Sequence, residues 1–216
     1  MIARWLVALC FGVAGALPGA TIVDRIAVVV DKRVIKLSEV QRDLRVTEFL
    51  NREPPRIDAD AKRKSAERLI DQMVIAEDMA RGGYARPAES EADATVKQLE
   101  QDRFSGSTAG MRNELGRYSL TVAELREQLL WQLTVLRFID ERFRPSVQIG
   151  DDEVRSYYDQ HVAALKRQYS DDYRFETLEP KIRESLEGEA VNKNFEQWLD
   201  AARKRAHVEY RPEAFK

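Results

Sequence analysis

The sequence predicts a mainly α protein with one small antiparallel sheet, and three observations lead to this fold class. Two short β-branched runs, Ile26–Val30 and Val34-Ile35, lie on either side of Asp31-Lys32 near the N-terminus. A third short run, Val208–Tyr210, follows the last helical segment, and apolar residues at helical spacing fill the chain between them. Because two strands alone are marginally stable in water, we expect the terminal strand to pair with the N-terminal hairpin.

A first helix is expected directly after the hairpin. Ser38 and Gln41 have the spacing of a capping box, in which two side chains satisfy free backbone amides at a helix start. Val40 and Leu44 lie on one face of this helix. It is expected to end before Pro54, which cannot continue a helix that precedes it.

A second helix is predicted between Asp58, a good N-cap residue, and the Gly82-Gly83 pair, which is typical of a helix C-terminus. Its apolar residues have the i, i+3, i+4 spacing of an amphipathic helix. The expected inner face consists of Leu69, Ile70, Met73, Val74, Ile75, Met79 and Ala80.

Two shorter helices are predicted next. Residues 86–91 are expected to begin the first, which carries Val96 on its apolar face. Gly106 and Gly110 are expected to flank a weaker helical turn around Met111.

The strongest helical pattern begins at a second capping box, Thr121-x-x-Glu124, and is expected to end at Pro145. Its apolar stripe is wide, which predicts burial on more than one side. The stripe contains Val122, Leu125, Leu129, Leu133, Leu136 and Ile139, and it is widened by Leu130, Trp131 and Phe138.

Two further helices complete the prediction. Asp151 or Asp152 is expected to cap the first of them, and the polar stretch 166–175 is expected to follow it. The last helix is expected to begin at Thr177, with a change of phase at Gly188.

Residues 1–20 have the features of a secretory signal peptide. An uncharged run over 5–17 has the length of a signal core and is shorter than the roughly 20 residues of a membrane span. Small residues allow cleavage after Ala16 or after Ala20. A lipoprotein attached through Cys10 is disfavoured, because bulky Leu9 precedes it and the apolar run continues past it.

Composition narrows the function classes. The chain has 35 basic and 37 acidic residues, a near balance that argues against nucleic acid as a partner. Its one cysteine lies inside the signal segment, so a core without disulfides must hold the fold. We expect residues 21–216 to form a single domain, with a helical sub-region over 84–145 and no stable membrane insertion.

The sequence carries no pattern typical of catalysis, of a metal site or of a cofactor site. His161 and His207 stand apart from any acid or hydroxyl motif, and zinc needs three or four soft or imidazole ligands. No glycine-rich phosphate loop is present. The basic runs 62–64 and 203–205 are interpreted as solvated helix faces, and the second also suits a helix C-terminus. We therefore expect no catalytic residue, no metal and no cofactor.

Methionines and large aromatic residues suggest a surface for unfolded chains, because flexible methionine and wide rings re-pack against varied partners. Phe104, Met111 and Trp131 are the leading candidates, since they lie off the main apolar stripes. Met73 and Met79 are further candidates. Helical spacing alone does not separate such a surface from a core.

Three segments resemble the SurA family of periplasmic chaperones. They are residues 24–39, which contain the hairpin and Ser38-Glu39, residues 147–158, and residues 198–210. The resemblance implies a periplasmic, ATP-independent chaperone that binds unfolded outer-membrane proteins. It also implies a chaperone module built from both chain ends, in which prolyl isomerase domains of the parvulin type are inserts.

The chain departs from this family in one respect. The stretch between Tyr158 and the last predicted helix is too short for a parvulin domain, so we expect no prolyl isomerase activity. Two other functions stay open: a subunit dedicated to one envelope partner, and, as a weaker alternative, a reduced isomerase.

Overall fold

The structure, a computed structural model, describes residues 24–169 and 172–216. It confirms a mainly α fold with one small antiparallel sheet. The predicted signal peptide lies outside the described residues. The elements are β1 Ile26–Val30, β2 Arg33–Lys36, α1 Leu37–Asn51, α2 Ala59–Gly82, α3 Glu89–Phe104, α4 Thr108–Arg117, α5 Val122–Phe143, a 3-10 helix Arg144–Ser146, α6 Asp151–Tyr169, α7 Phe175–Arg205, β3 Val208–Tyr210 and a 3-10 helix Pro212–Ala214.

The sheet joins the two ends of the described chain, as predicted. Its strand order is β2-β1-β3, and β3 runs antiparallel to β1 with Val30 opposite Val208. Two backbone hydrogen bonds extend this pairing: the amide of Asp31 donates to the His207 carbonyl, and the amide of Arg211 donates to the Ala27 carbonyl, each over 2.9 Å. The C-terminal strand is therefore an integral part of the N-terminal sheet.

Apolar side chains form four clusters. The first covers the sheet with α1, α2 and the C-terminal segment, and the second joins α1, α3, α4 and the N-terminal half of α5. The third joins α2, the C-terminal half of α5 and the C-terminal half of α7. We call these three clusters and their elements the body. The fourth is formed by α6, the N-terminal half of α7 and the segments beside them, and we call residues 151–169 and 172–187 the arm.

Helix α5 is the central helix of the body. It packs against α3, α7 and α1, which confirms the predicted burial on more than one side. Leu125 and Leu129 belong to the second cluster, and Phe138 belongs to the third. Leu136 is an exception: the sequence placed it in the apolar stripe, but 63 % of it is exposed, because none of the described helices covers that side of α5.

Several predicted helix ends are confirmed. Asp58 caps α2 by accepting a hydrogen bond from the Ala61 amide over 2.8 Å, and α2 ends at Gly82, followed by left-handed Gly83. Thr121 and Glu124 form the predicted capping box at the start of α5. These ends depend on local side-chain chemistry, which explains why a sequence pattern located them.

The predicted start of α1 is wrong. The amide of Lys36 donates to Glu39 Oε2 over 2.7 Å, so the capping contact lies two residues before the predicted Ser38 and Gln41 pair. Strand β2 runs directly into α1 without a loop, and this continuity moves the helix start back to Leu37. Ser38 bonds the carboxylate of Asp24 instead.

Two later expectations are also wrong. Neither Asp151 nor Asp152 is the N-cap of α6, because the helix already begins at Asp151 and Gly150 precedes it. Helix α7 begins before Thr177, at Phe175, and it continues without interruption through Gly188. Across that glycine the helix changes partners: Leu178 and Ile182 pack in the fourth cluster, and Val191 packs in the third.

Gly110 does not flank α4 but lies inside it. Ser107 precedes the helix, and its Oγ accepts a hydrogen bond from the Gly110 amide over 3.1 Å. A serine at the N-cap position accepts a hydrogen bond from an amide in the first helical turn, so Gly110 belongs to the first turn of α4.

Candidate functional site

The body contains an open cleft of about 220 Å³ between α1, α2 and α5, which we call the α1–α5 cleft. Successive turns of each helix supply its walls, because residues three or four apart lie on the same helix face. The lining residues are Glu39, Arg42, Asp43 and Val46 of α1, Leu69 and Gln72 of α2, Arg86, and Glu124, Glu127, Gln128, Leu130, Trp131 and Thr134 of α5.

One wall of the cleft carries a buried polar network. Asp43 is only 5 % exposed, and its Oδ2 accepts hydrogen bonds from the Ser65 hydroxyl over 2.7 Å and from Arg68 Nε over 3.0 Å. Its Oδ1 has no hydrogen-bond partner among the described residues. The network fixes α1 against α2 and leaves one buried carboxylate oxygen unsatisfied beside the cleft.

The opposite wall carries Glu124. Burial acts to raise the pKa of its carboxyl, but hydrogen bonds from the Thr121 amide and hydroxyl, together with nearby Arg42 and Arg45, outweigh burial and lower the pKa below its ordinary value. The carboxylate therefore stays ionised at neutral pH. Arg42 also reaches across the cleft to Glu127, with 3.9 Å between guanidinium and carboxylate.

Among the predicted binding residues, Trp131 lies in this cleft and is half-buried. Its ring also packs against the third cluster, so one face of the side chain supports the fold. Phe104 is half-buried as well, but it lines a different cleft beside Arg103 and Tyr118. The structure therefore does not bring Trp131 and Phe104 together.

The methionines are mostly core residues. Met111 is 1 % exposed in the second cluster, so the expectation that it is exposed is wrong. The reason is that α4 packs beside α3 and places Met111 among side chains of α1, α3 and α5. Met79 is 5 % exposed in the third cluster, and Met73 is partly buried beneath the sheet. None of the three lines the α1–α5 cleft.

The sequence contains a signal for the cleft that the prediction from apolar spacing missed. Glu124, Glu127 and Trp131 follow one another at helical spacing on α5, beside the main apolar stripe. Arg42 and Val46 do the same on α1. Each of these two helices thus carries a stripe that mixes charged and apolar residues. Where the two helices pack together, such stripes indicate a contact between them that is partly exposed to water.

The basic runs have structural roles that the sequence did not predict. Lys62 is 9 % exposed and its Nζ donates to the Lys216 carbonyl over 3.0 Å, while the Arg63 guanidinium lies 4.9 Å from the ring centre of Tyr210. Arg203 pairs with Asp71 over 3.0 Å. The interpretation as a solvated face is therefore wrong for Lys62, which is buried, whereas Arg63 is exposed. Lys62 and Arg63 attach the C-terminal segment to α2, and Arg203 attaches α7 to α2.

Neither of the two histidines lies in an arrangement typical of a catalytic or metal site. His161 is exposed and stacks on Tyr157, with 4.1 Å between ring centres. The backbone amide of exposed His207 donates to Asp31 Oδ1 over 2.9 Å. In the part of the chain that the structure describes, no three His, Cys, Asp or Glu side chains are grouped so as to hold a metal ion.

Among the helices of residues 24–169 and 172–216, none combines the length and apolar character that crossing a membrane requires.

Comparison with known proteins gives one informative relative. No family model matches the chain. The chain is similar to a protein named Chaperone SurA from Chromobacterium violaceum, with 29 % identity over 152 residues, which cover 68 % of this chain and 34 % of that protein. The chain thus spans about a third of that relative's length. The similarity supports a relationship to the SurA chaperones.

Proposed function

We propose that this protein is a periplasmic chaperone that holds unfolded envelope proteins, outer-membrane proteins among them, without ATP. The similarity to Chaperone SurA is the observation that carries this function. The α1–α5 cleft, with the half-buried ring of Trp131 in its wall, supports a place for client binding. Prolyl isomerase activity forms no part of the proposal.

The cleft combines two properties that suit weak binding of many sequences. Apolar surface from Leu69, Leu130 and Trp131 gives a non-directional attraction to unfolded chains, since burial of apolar area is favourable whatever the sequence. Polar side chains along the same walls keep the cleft wetted when it is empty. Exchange of water for client side chains then favours binding without requiring one fixed client shape.

The decisive experiment follows the aggregation of an unfolded outer-membrane protein diluted from denaturant. The protein lacking residues 1–20 is expected to slow aggregation at near-stoichiometric ratio in the absence of ATP. Trp131→Ala is expected to weaken this effect, because it removes the largest apolar wall of the cleft. Circular dichroism and melting curves must show that the variant is folded. Equal aggregation with and without the protein, at every ratio tested, would reject the chaperone function.

A matched control separates the main alternative, a subunit dedicated to one envelope partner. Leu136 lies on the same helix as Trp131, is 63 % exposed and lies outside the α1–α5 cleft. With Leu133 it lines a shallow groove of α5 outside the cleft, which makes it a separate surface on which to test a single partner. Leu136→Ala is expected to leave holding of unfolded clients unchanged. If Leu136→Ala abolishes binding to one tight envelope partner and Trp131→Ala changes nothing, the dedicated-subunit function is the better account.

A further inference from the structure

The chain crosses between the body and the arm at two places, and both crossings are short. At the first, Val147 packs in the third cluster and Ile149 packs in the fourth, so the exposed residue Gln148 alone separates them. At the second, α7 passes from the arm to the body between Leu186, in the fourth cluster, and Val191, in the third. Among the described residues, no apolar side chain belongs to both clusters. The two regions therefore do not share an apolar core.

The arm is fixed internally at its end nearest the body. The guanidinium of Arg183 on α7 donates to the Ile149 carbonyl and to Oδ1 of Asp151, each over 2.7 Å. These bonds hold the start of α6 against α7, and α6 packs chiefly on α7. A motion between the arm and the body therefore leaves the arm intact, and it is confined to Gln148 and to the α7 segment over 186–191.

That α7 segment contains Gly188. A glycine inside a helix is less favourable than alanine, because its backbone loses more conformational freedom on folding. Neither packing nor conformation requires a glycine at this position. A Cβ atom there would meet no described neighbour within 4 Å beyond the adjacent residues and the helix backbone, and the φ angle of Gly188 is not positive. What the glycine contributes is backbone freedom, at the point where α7 passes from the arm to the body.

Exposed charges connect the two regions beside this point. The pKa of the Arg144 guanidinium is raised, chiefly by its hydrogen bond with Asp140 and more weakly by Glu187 and Glu184 of α7. Arg144 therefore lies close to the end of the arm. Its side chain is 51 % exposed, and attractions between exposed charges are weak and are screened by salt. These charges draw the arm and the body together without fixing one angle between them.

We propose that the arm rotates against the body about a hinge formed by Gln148 and Gly188, while both apolar cores stay packed. A bend of α7 at Gly188 needs only local opening of the helix. Gln148 absorbs the matching change, because residues 147–150 belong to no helix or strand and hinges use a few residues of this kind. Under the chaperone function proposed above, the rotation adapts the surface between arm and body to clients of different size. The hinge itself does not depend on that function.

The test measures distances between pairs of spin labels by pulsed electron paramagnetic resonance. The protein lacking residues 1–20 contains no cysteine, so introduced cysteines are the only labelling sites. Ala94→Cys in α3 and Ala164→Cys in α6 give a pair between body and arm, and Ala94→Cys with Ala201→Cys in α7 gives a pair within the body. All three alanines are exposed. We expect the distance distribution between body and arm to be at least about twice as wide as the distribution within the body.

Two glycine variants locate the hinge. Gly188→Ala is expected to narrow the body–arm distribution toward the width of the pair within the body, because alanine stabilises the helix at the crossing. Gly116→Ala is the matched control. Gly116 also lies in a helix, α4 of the body, and a Cβ atom built on it likewise has no described neighbour within 4 Å. Gly116→Ala is expected to leave the width unchanged.

The outcomes separate the hinge from the chaperone function. A body–arm distribution as narrow as the one within the body overturns the hinge. An unchanged width in Gly188→Ala, or an equal narrowing in Gly116→Ala, overturns it as well. No client is present in these measurements, so their failure leaves the aggregation experiment to judge the chaperone function independently.

Discussion

The body and the arm bury their apolar residues in different ways. In the body, Phe138 is 1 % exposed, and its ring meets those of Tyr84, Phe143 and Trp198 at centroid distances of 5.0, 5.9 and 5.5 Å. These partners come from the α2–α3 connection, α5 and α7, so the residue is enclosed on several sides. In the arm, Leu178 is equally buried, but among the described residues its cluster is formed by α6, the N-terminal half of α7 and the segments beside them.

The arm consists of two packed helical segments, and amphipathic side chains cover the parts of its core that the helices leave open. The Tyr158 hydroxyl donates to the Tyr173 carbonyl over 2.9 Å, and its ring meets Phe175 edge-on at 5.3 Å. Arg155 lies over the Phe175 ring at 4.5 Å, and Lys166 lies over Tyr173 at 5.2 Å. Two helices cannot hide purely aliphatic residues from water, so rings with polar tips and long basic stems cover the edge of the arm's core.

This difference predicts how cooperatively each of the two regions unfolds. Each body cluster joins elements distant in sequence, and the first cluster joins both ends of the described chain, so a loss at one place is expected to spread through the body. The arm's cluster joins neighbours in sequence and meets the body mainly along α7. Local opening is therefore expected to be easier in the arm than in the body.

Deleting residues 206–216 is the strongest test of whether the body unfolds as one cooperative unit. The deletion removes β3, its pairing with β1 and the buried Ala214, so we expect the free energy of unfolding to fall by several kcal/mol, on the order of 5. Chemical denaturation measures this loss. Glu209→Gln, on the exposed face of β3, is the control and is expected to have little effect. An unchanged melting temperature after the deletion would show that the ends are not energetically joined.

A pair of core truncations compares the two regions directly. Phe138→Ala is expected to destabilise the whole body by about 3–5 kcal/mol, and Leu178→Ala is expected to destabilise the arm by about 2–5 kcal/mol. Hydrogen exchange followed by mass spectrometry distinguishes them. Phe138→Ala should speed exchange throughout the body, whereas Leu178→Ala should speed it in the arm alone. Leu136→Ala is the exposed control. If Leu178→Ala accelerates exchange in β1 as much as in α6, the arm and the body are one cooperative unit.

The smallest effect concerns a helix start. In the body, α5 begins with a reciprocal capping box, whereas α6 in the arm begins after Gly150, which has no side chain to cap it. Glu124→Gln is expected to lower stability at pH 7 by about 1 kcal/mol, because a neutral amide accepts the Thr121 amide less strongly than a carboxylate does.

The pH dependence gives this prediction a sharp readout. Burial acts to raise the pKa of Glu124, but the Thr121 hydrogen bonds and Arg42 outweigh it, so the folded pKa lies below the ordinary value of 4.5. The carboxylate's contribution is therefore fully present above about pH 5 and is lost as the pH falls through the folded pKa. The stability difference between wild type and Glu124→Gln should shrink in that window. A difference that stays constant from pH 7 to pH 3 would contradict the capping role of the charge.

The sequence by itself determined the fold class, the pairing of the chain ends and most helix ends. The third strand was predictable because a hairpin needs a partner and the chain offers one more β-branched run. The caps at Asp58 and Thr121 were predictable because they depend on groups within three residues. Gly150 was missed as the residue before α6 because glycine has no side chain to form a cap, whereas Asp151 and Asp152 beside it are typical cap residues.

Only the tertiary structure decided which apolar residues meet solvent. Helical spacing identifies an apolar face, but it does not say whether another helix covers that face. Met111 is buried because α4 packs it among side chains of α1, α3 and α5. Leu136 is exposed because no element within residues 24–169 and 172–216 covers its side of α5, and Trp131 lines the cleft that α1, α2 and α5 enclose. Exposure is a property of how helices are arranged in space, and long-range packing fixes that arrangement.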